Sequence, residues 1–252
     1  MKRLVAFDLD GTLAESKQPL EPETAALLAR LLEVAQVDVI SGGDWPQFQL
    51  QVVERLPAGT GLDRLWIQPT TGAKLYRHEG GEWRPVYQET FDAAERDKVL
   101  AAVAKATGEL GLGREQAWGE RLEDRGAQVT WSGLGQHAPL DAKTAWDPNR
   151  KKREALQSKL REALPELSVK IGGSTSIDIT QPGVDKAYGM RRLSEVSGVA
   201  AQEILFMGDA IYPGGNDDPV REAGIDVVRV RDVAETRTAI TAVIACLAGA
   251  AA

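Results

Sequence analysis

A chain of 252 residues can bury a substantial core as one large domain or two modest ones, and 43% hydrophobic with 27% charged residues is ordinary for a soluble globular protein. A net charge of −7 argues against a nucleic-acid partner, whose phosphates call for a basic face. The single cysteine, Cys246, excludes an intramolecular disulfide framework and fits a reducing compartment. No apolar run approaches the roughly 20 residues that span a bilayer, and Met1-Lys2-Arg3 does not begin a signal peptide, so a cytoplasmic protein with no membrane partner is expected.

The apolar run Leu4 to Phe7 predicts a strand buried on both faces, ending in Asp8-Leu9-Asp10-Gly11-Thr12. Two carboxylates at that end would lie outside the sheet, where α/β proteins bind ligands, and Gly11 lets the backbone turn so that they diverge. One can attack phosphorus while the other handles the leaving group's proton. Glu21 to Gln36 has helical spacing, and Val37 to Ile40 is a second strand ending in Ser41-Gly42-Gly43-Asp44. These small residues suit close approach to an anion, and equally a glycine turn with Asp44 capping the next helix.

Trp45 to Leu56 is predicted helical, with short strands at Leu65 to Ile67 and Lys74 to Tyr76. The texture changes near Gly80-Gly81. Beyond it fall Trp83, Trp118, Trp131 and Trp146, helical periodicity at Phe91 to Leu110 and Arg150 to Leu164, and strands at Ala127 to Trp131 and Ser168 to Ile171. The only dense basic run, Asn149 to Arg153, reads either as a solvated first helical turn or as positive potential above a phosphate cleft. The α/β pattern returns at Asp185-Lys186 with a helix over Ala187 to Val196. A strand at Ile204 to Met207 runs into Gly208-Asp209 and Asn216-Asp217, and a strand at Ile225 to Val230 and a helix from Val233 to Leu247 follow. The alanine-rich tail from Ala248 to Ala252 is expected to fray.

The first motif resembles the DxDGT signature of the haloacid dehalogenase-like phosphotransferases. That resemblance implies Asp8 as nucleophile, Asp10 as general acid and base, Ser41 as the hydroxyl of the second motif, Lys186 as the third, and Gly208-Asp209 with Asn216-Asp217 as the fourth. It further implies Mg²⁺ held by Asp8, the Asp10 main-chain oxygen and Asp209, with Asn216 and Asp217 close by. Hard oxygen ligands at converging strand ends suit that ion, and Lys186 adds a compact cation. The expected fold is an α/β doubly wound parallel-sheet core, residues 1–82 and 185–252, with a smaller α+β cap inserted at 83–184.

Within the family, Ile171-Gly172-Gly173-Ser174-Thr175-Ser176-Ile177-Asp178-Ile179 and the later Gly183-Val184-Asp185-Lys186 are similar to the GGxxSFDV…GWDK segment of eukaryotic-type phosphomannomutases. Gly208 to Asp217 is similar to their GDxTxxGGND. The resemblance makes Ser176 and Asp178 sugar or phosphate contacts; the residues alone equally describe a strand with one polar face. Lys17 stands where the mutases carry an arginine after the first motif. Their RNGMLNVSPxGR segment is matched at Arg125, Ser132 and Gly135, but its closing arginine is Gln136. A mutase must grip the phosphate remote from the reaction, a task suited to arginine's fork, whereas a phosphatase need only admit water. Hydrolysis of a small phosphorylated metabolite is therefore the first expectation. Phosphomannomutase activity is the second, and an inactive sugar-phosphate-binding protein the third. A homodimer through the cap is the partner the mutase resemblance allows.

Overall fold

The computed structural model describes residues 1–249, so Ala250 to Ala252 of the tail lie outside the described residues. The chain divides into two compact units, one of Met1–Gln88 with the segment from Val184 onward, the other of Glu89–Gly183. In chain order the first unit begins with β1 (Leu4–Asp8), α1 (Pro22–Val34), β2 (Gln36–Ile40), α2 (Trp45–Gln51), β3 (Leu65–Gln68), β4 (Lys74–Glu79) and β5 (Glu82–Gln88). The second holds α3 (Ala93–Glu109), β6 (Leu122–Asp124), β7 (Gln128–Ser132), α4 (Leu140–Trp146), α5 (Lys151–Ala163), β8 (Ser168–Ile171) and β9 (Ser176–Thr180). The first unit resumes with α6 (Lys186–Ser197), β10 (Ile204–Gly208), α7 (Asp218–Glu222), β11 (Asp226–Arg229) and α8 (Val233–Gly249), which carries Ala248 as regular helix.

The first unit is built on a seven-stranded sheet of order β11-β10-β1-β2-β3-β4-β5. It is parallel from β11 to β3 and antiparallel at β4 and β5. Alternation along β1 explains the layering. Val5 and Phe7 join the apolar cluster under α1 and α8, with Leu28, Leu31 and Ile240. Leu4 and Ala6 face the other cluster, with Met190 and Leu193 of α6 and Phe206 of β10. Burying each large side chain of this kind stabilises the fold by about 1.5–3 kcal/mol relative to leaving it exposed.

The unit boundary expected at residue 82/83 falls after Gln88 instead. Gly80 and Gly81, with φ of 61° and 85°, form the two-residue turn of a hairpin that returns the chain as β5 against β4. Trp83 accordingly belongs to the first unit, where it lies 5.4 Å from Trp45, ring centre to ring centre. The second unit is a four-stranded antiparallel sheet of order β6-β7-β9-β8. Val129, Trp131, Ile177 and Ile179 pack on Val99, Val103, Leu156 and Leu160 of α3 and α5. Trp131 and Trp146 are core side chains there.

Candidate active site

Asp8 ends β1 level with Ile40 at the end of β2, so its carboxylate emerges at the carboxyl edge of the sheet. Lys186 opens α6, whose first turn is fixed by Asp185 accepting a hydrogen bond from the Tyr188 amide at 2.8 Å. Its side chain is 1% exposed, and Nζ donates to Oδ1 of Asp8 and Oδ1 of Asp217, each at 2.5 Å. The second Asp217 oxygen accepts from the Ala210 amide at 3.0 Å. Asp209 follows β10, and carboxylate oxygens of Asp8, Asp209 and Asp217 lie within 4.8 Å of one another. The Asp209 amide donates to the Thr12 hydroxyl at 3.1 Å, tying the loop after β1 to the loop after β10.

Asp10 is held differently. Its Oδ1 accepts from the Lys17 amide at 2.6 Å, and its Oδ2 from the Ser41 hydroxyl at 3.4 Å. Lys17 therefore reaches this carboxylate through its backbone, in a left-handed conformation with φ 60°. Asn216 is exposed, and of the expected Asn216-Asp217 pair it is Asp217 that enters the cluster. Thr12 and the Lys17 amide have roles that reasoning from residue types missed; the hydroxyl of the DGT triplet was the available signal for the first.

Burial pushes the Asp8 carboxyl up to about 7 against the pull of the Lys186 ammonium, and the neighbouring Asp217 adds to the rise. Asp209 is raised by burial and by Asp217. Burial works to lower the Lys186 ammonium, but the two carboxylates outweigh it and hold it charged. Three carboxylates around one ammonium leave excess negative charge. Like charges about 4 Å apart repel by about 4 kcal/mol at an effective dielectric of about 20. A cluster of hard oxygen donors with this imbalance fits a divalent cation such as Mg²⁺.

Of the two readings of Ser41-Gly42-Gly43-Asp44, the helix cap is observed directly. Ser41 stands beside Asp10, while Asp44 caps α2 at the Trp45 amide, 2.8 Å away, and pairs with Lys74 at 2.7 Å. The loop leaving β3 is locked to this segment. The Thr70 amide donates to the Gly43 carbonyl at 2.8 Å and the Thr71 amide to the Ser41 carbonyl at 2.9 Å. Thr70 and Thr71 have φ of 51° and 59°. Two β-branched residues in the left-handed region carry strain of about 1–3 kcal/mol each.

The remaining candidates belong to the second unit. Arg125 pairs with Glu123 at 2.7 Å. On β9, Asp178 accepts from the Thr130 hydroxyl at 2.7 Å and the Gln128 side-chain Nε2 at 3.1 Å, and Ser176 shares its face of the sheet. The basic run is no solvated turn throughout. Arg153 is buried, with Nε donating to Asp147 at 2.9 Å and a second nitrogen to the Gly173 carbonyl at 2.6 Å.

The profile of the family described as eukaryotic phosphomannomutase matches residues 25–245. The chain belongs to that family. Phosphomannomutase 1 of Mus musculus is 27% identical over 243 residues, covering 92% of this chain and 89% of its own. Plasmodium falciparum IMP-nucleotidase superimposes with a TM-score of 0.71 at 13% identity, over 98% of this chain and 69% of that one. A haloacid dehalogenase-like hydrolase from Bacteroides thetaiotaomicron gives 0.64 at 16% identity, over 96% of this chain and all of its own length. The α/β fold is thus that of the haloacid dehalogenase-like proteins, and this family member is an enzyme of their phosphatase and mutase type. The family match begins beyond β1, so Asp8 and Asp10 rest on their own pattern and geometry.

Proposed function

We propose that this chain hydrolyses a small phosphorylated metabolite, such as a sugar phosphate, through a phosphoryl group carried on Asp8. The observation that carries the reading is the buried Lys186 ammonium joining Asp8 to Asp217 beside Asp209. An Asp8 carboxylate oxygen forms a bond to phosphorus as the ester P–O bond breaks, and Asp10 gives its proton to the departing oxygen. Asp10, now a carboxylate, takes a proton from water as the water oxygen attacks the phosphorus. Phosphate leaves and the Asp8 carboxylate is restored. Ser41 orients the phosphoryl oxygens, and Lys186 keeps Asp8 in place and adds positive charge. Mg²⁺, held by Asp8, the main-chain oxygen of Asp10 and Asp209 with Asp217 alongside, would neutralise charge between the nucleophile and the anionic phosphoryl group.

Phosphomannomutase activity is the second reading, favoured by the family to which the chain belongs. Against it stands the cap segment that closes in Gln136, where the mutases carry an arginine. A panel of sugar phosphates, assayed for phosphate release with and without Mg²⁺, tests the proposal. Release should require both the metal and Asp8. Turnover by Asp8→Asn near the wild-type rate would sink the mechanism.

A further inference from the structure

Thr71 stands at the same edge of the sheet as Asp8, but two strands away. Asp8 is level with Ile40 on β2, and Ile40 with Gln68 at the end of β3. At about 4.8 Å per strand, the loop leaving β3 lies on the order of 10 Å to the side of Asp8. A reacting phosphorus must sit about 3–3.5 Å from the attacking oxygen, which puts the transferring group beyond a threonine there. What can extend that far is the esterified alcohol.

The loop is over-determined. Besides the amide bonds of Thr70 and Thr71 to the Ser41-Gly43 segment, Gly72 accepts from the Tyr87 hydroxyl at 2.8 Å. Gly72 also lies so close to α6 that a Cβ on it would stand 2.5 Å from the Gly189 α-carbon. Thr71 Oγ1 is directed toward Gly42, 3.8 Å from where a Cβ on that glycine would be. Fold stability does not account for the two hydroxyls. That of Thr70 is buried without a hydrogen-bond partner, and that of Thr71 makes no hydrogen bond among the described residues. Glycine or asparagine would adopt these backbone angles with less strain.

We propose, on the phosphoryl-transfer reading above, that Thr71 is a specificity-determining residue whose hydroxyl binds a hydroxyl group of a sugar or polyol leaving group. The strained backbone holds that hydroxyl over Gly42, where the missing side chain leaves room for the alcohol. Discrimination then comes from a polar group that loses its partner when the substrate lacks the matching hydroxyl.

The test compares Thr71→Val, which keeps the branched shape, with Thr71→Ser, which keeps the hydroxyl. kcat/KM is measured for p-nitrophenyl phosphate, whose leaving group has no sugar hydroxyl to bind, and for the sugar phosphate turned over best by the wild type. Valine should lower the sugar phosphate value about tenfold or more, chiefly through KM, and the aryl phosphate value by several-fold less. Serine should recover most of the loss. Should valine not fold, Thr71→Gly removes the hydroxyl while relaxing the backbone, and the same change of ratio is expected. Equal losses on both substrates would show that Thr71 acts only by holding the Ser41 loop, and would overturn the proposal, as would no loss on either. The hydrolase reading fails separately. If the wild type interconverts sugar phosphates without releasing phosphate, the effect of valine on that interconversion still reads Thr71.

Discussion

A methyl group on Gly11 would stand 2.9 Å from Oδ2 of Asp209, although the two residues are almost two hundred positions apart in the chain. The glycine also has φ 86°, which an alanine adopts only with strain. The glycine of the DGT triplet therefore serves the carboxylate after β10 as much as the turn after β1. Gly11→Ala should displace Asp209 and lower kcat/KM on the order of 10²-fold, the scale of a misplacement near 1 Å. Melting should fall by only a few degrees. A variant that folds and retains kcat/KM within threefold of wild type would show that Asp209 need not stand where it does.

Among the described residues Lys186 is the single cation paired with both Asp8 and Asp217, so its removal acts on stability as well as chemistry. Lys186→Met leaves two buried carboxylates uncompensated, a loss of about 3–5 kcal/mol when one partner of a buried pair is removed. At about 2–4 °C per kcal/mol for a chain of this size, Tm should drop by roughly 6–20 °C. Adding Asp217→Asn should return much of the stability, because one of the stranded charges is gone, while activity stays absent. Scanning calorimetry of the single and double variants separates the two effects. A double variant no more stable than Lys186→Met would contradict the electrostatic account.

How much of this was legible beforehand depends on where each signal sits. β1, β2 and β10 announce themselves because buried apolar runs stop abruptly at Asp8, Ser41 and Gly208, and the site collects at those stops. β5 was hidden because an edge strand such as Glu82–Gln88, largely exposed, has no alternation to read, and its turn at Gly80-Gly81 looked like a domain border. Arg153 resembled a surface charge because its partner Asp147 lies outside the helix that carries it. The choice between Asn216 and Asp217 turns on which neighbour the Gly214-Gly215 turn directs inward, and spacing alone does not decide it. The paired left-handed threonines left no compositional trace.

Asp38 shows what such a silent position can do. It is fully buried on β2, with Oδ2 accepting from the Gln68 side-chain Nε2 at 3.2 Å and Oδ1 without a partner. Burial pushes its carboxyl well above the usual range, with the Gln68 hydrogen bond a lesser opposing pull. The folded state thus favours the protonated form. Its contribution to stability is fully present below the unfolded value near 3.9 and is lost as pH rises through the folded one. Asp38→Asn should therefore raise Tm at pH 7 to 8, by about 2–4 °C per kcal/mol recovered, and give no gain near pH 3.5. A gain of equal size at both pH values would mean that ionisation of Asp38 is not the cause.

The contrast between hydrolysis and isomerisation turns on Gln136. A mutase that turns a bisphosphate intermediate round must hold whichever phosphate is not reacting, and a charged hydrogen bond to it contributes about 1.5–3 kcal/mol. Of the two arginines of the basic run that could replace the missing one, Arg150 and Arg153, the second is instead committed to Asp147 and the Gly173 carbonyl. Without that grip, recapture should be slower relative to hydrolysis by roughly ten- to a hundredfold. With mannose 1-phosphate and Mg²⁺, inorganic phosphate should therefore appear faster than mannose 6-phosphate, and added sugar bisphosphate should activate little. Gln136→Arg should shift the ratio toward the isomer, since it places a guanidinium where the glutamine carries no charge. Phosphorus NMR follows both products in one tube. Clean interconversion by the wild type, with no phosphate released, would make this protein a mutase and show that its cap holds the remote phosphate without an arginine at 136.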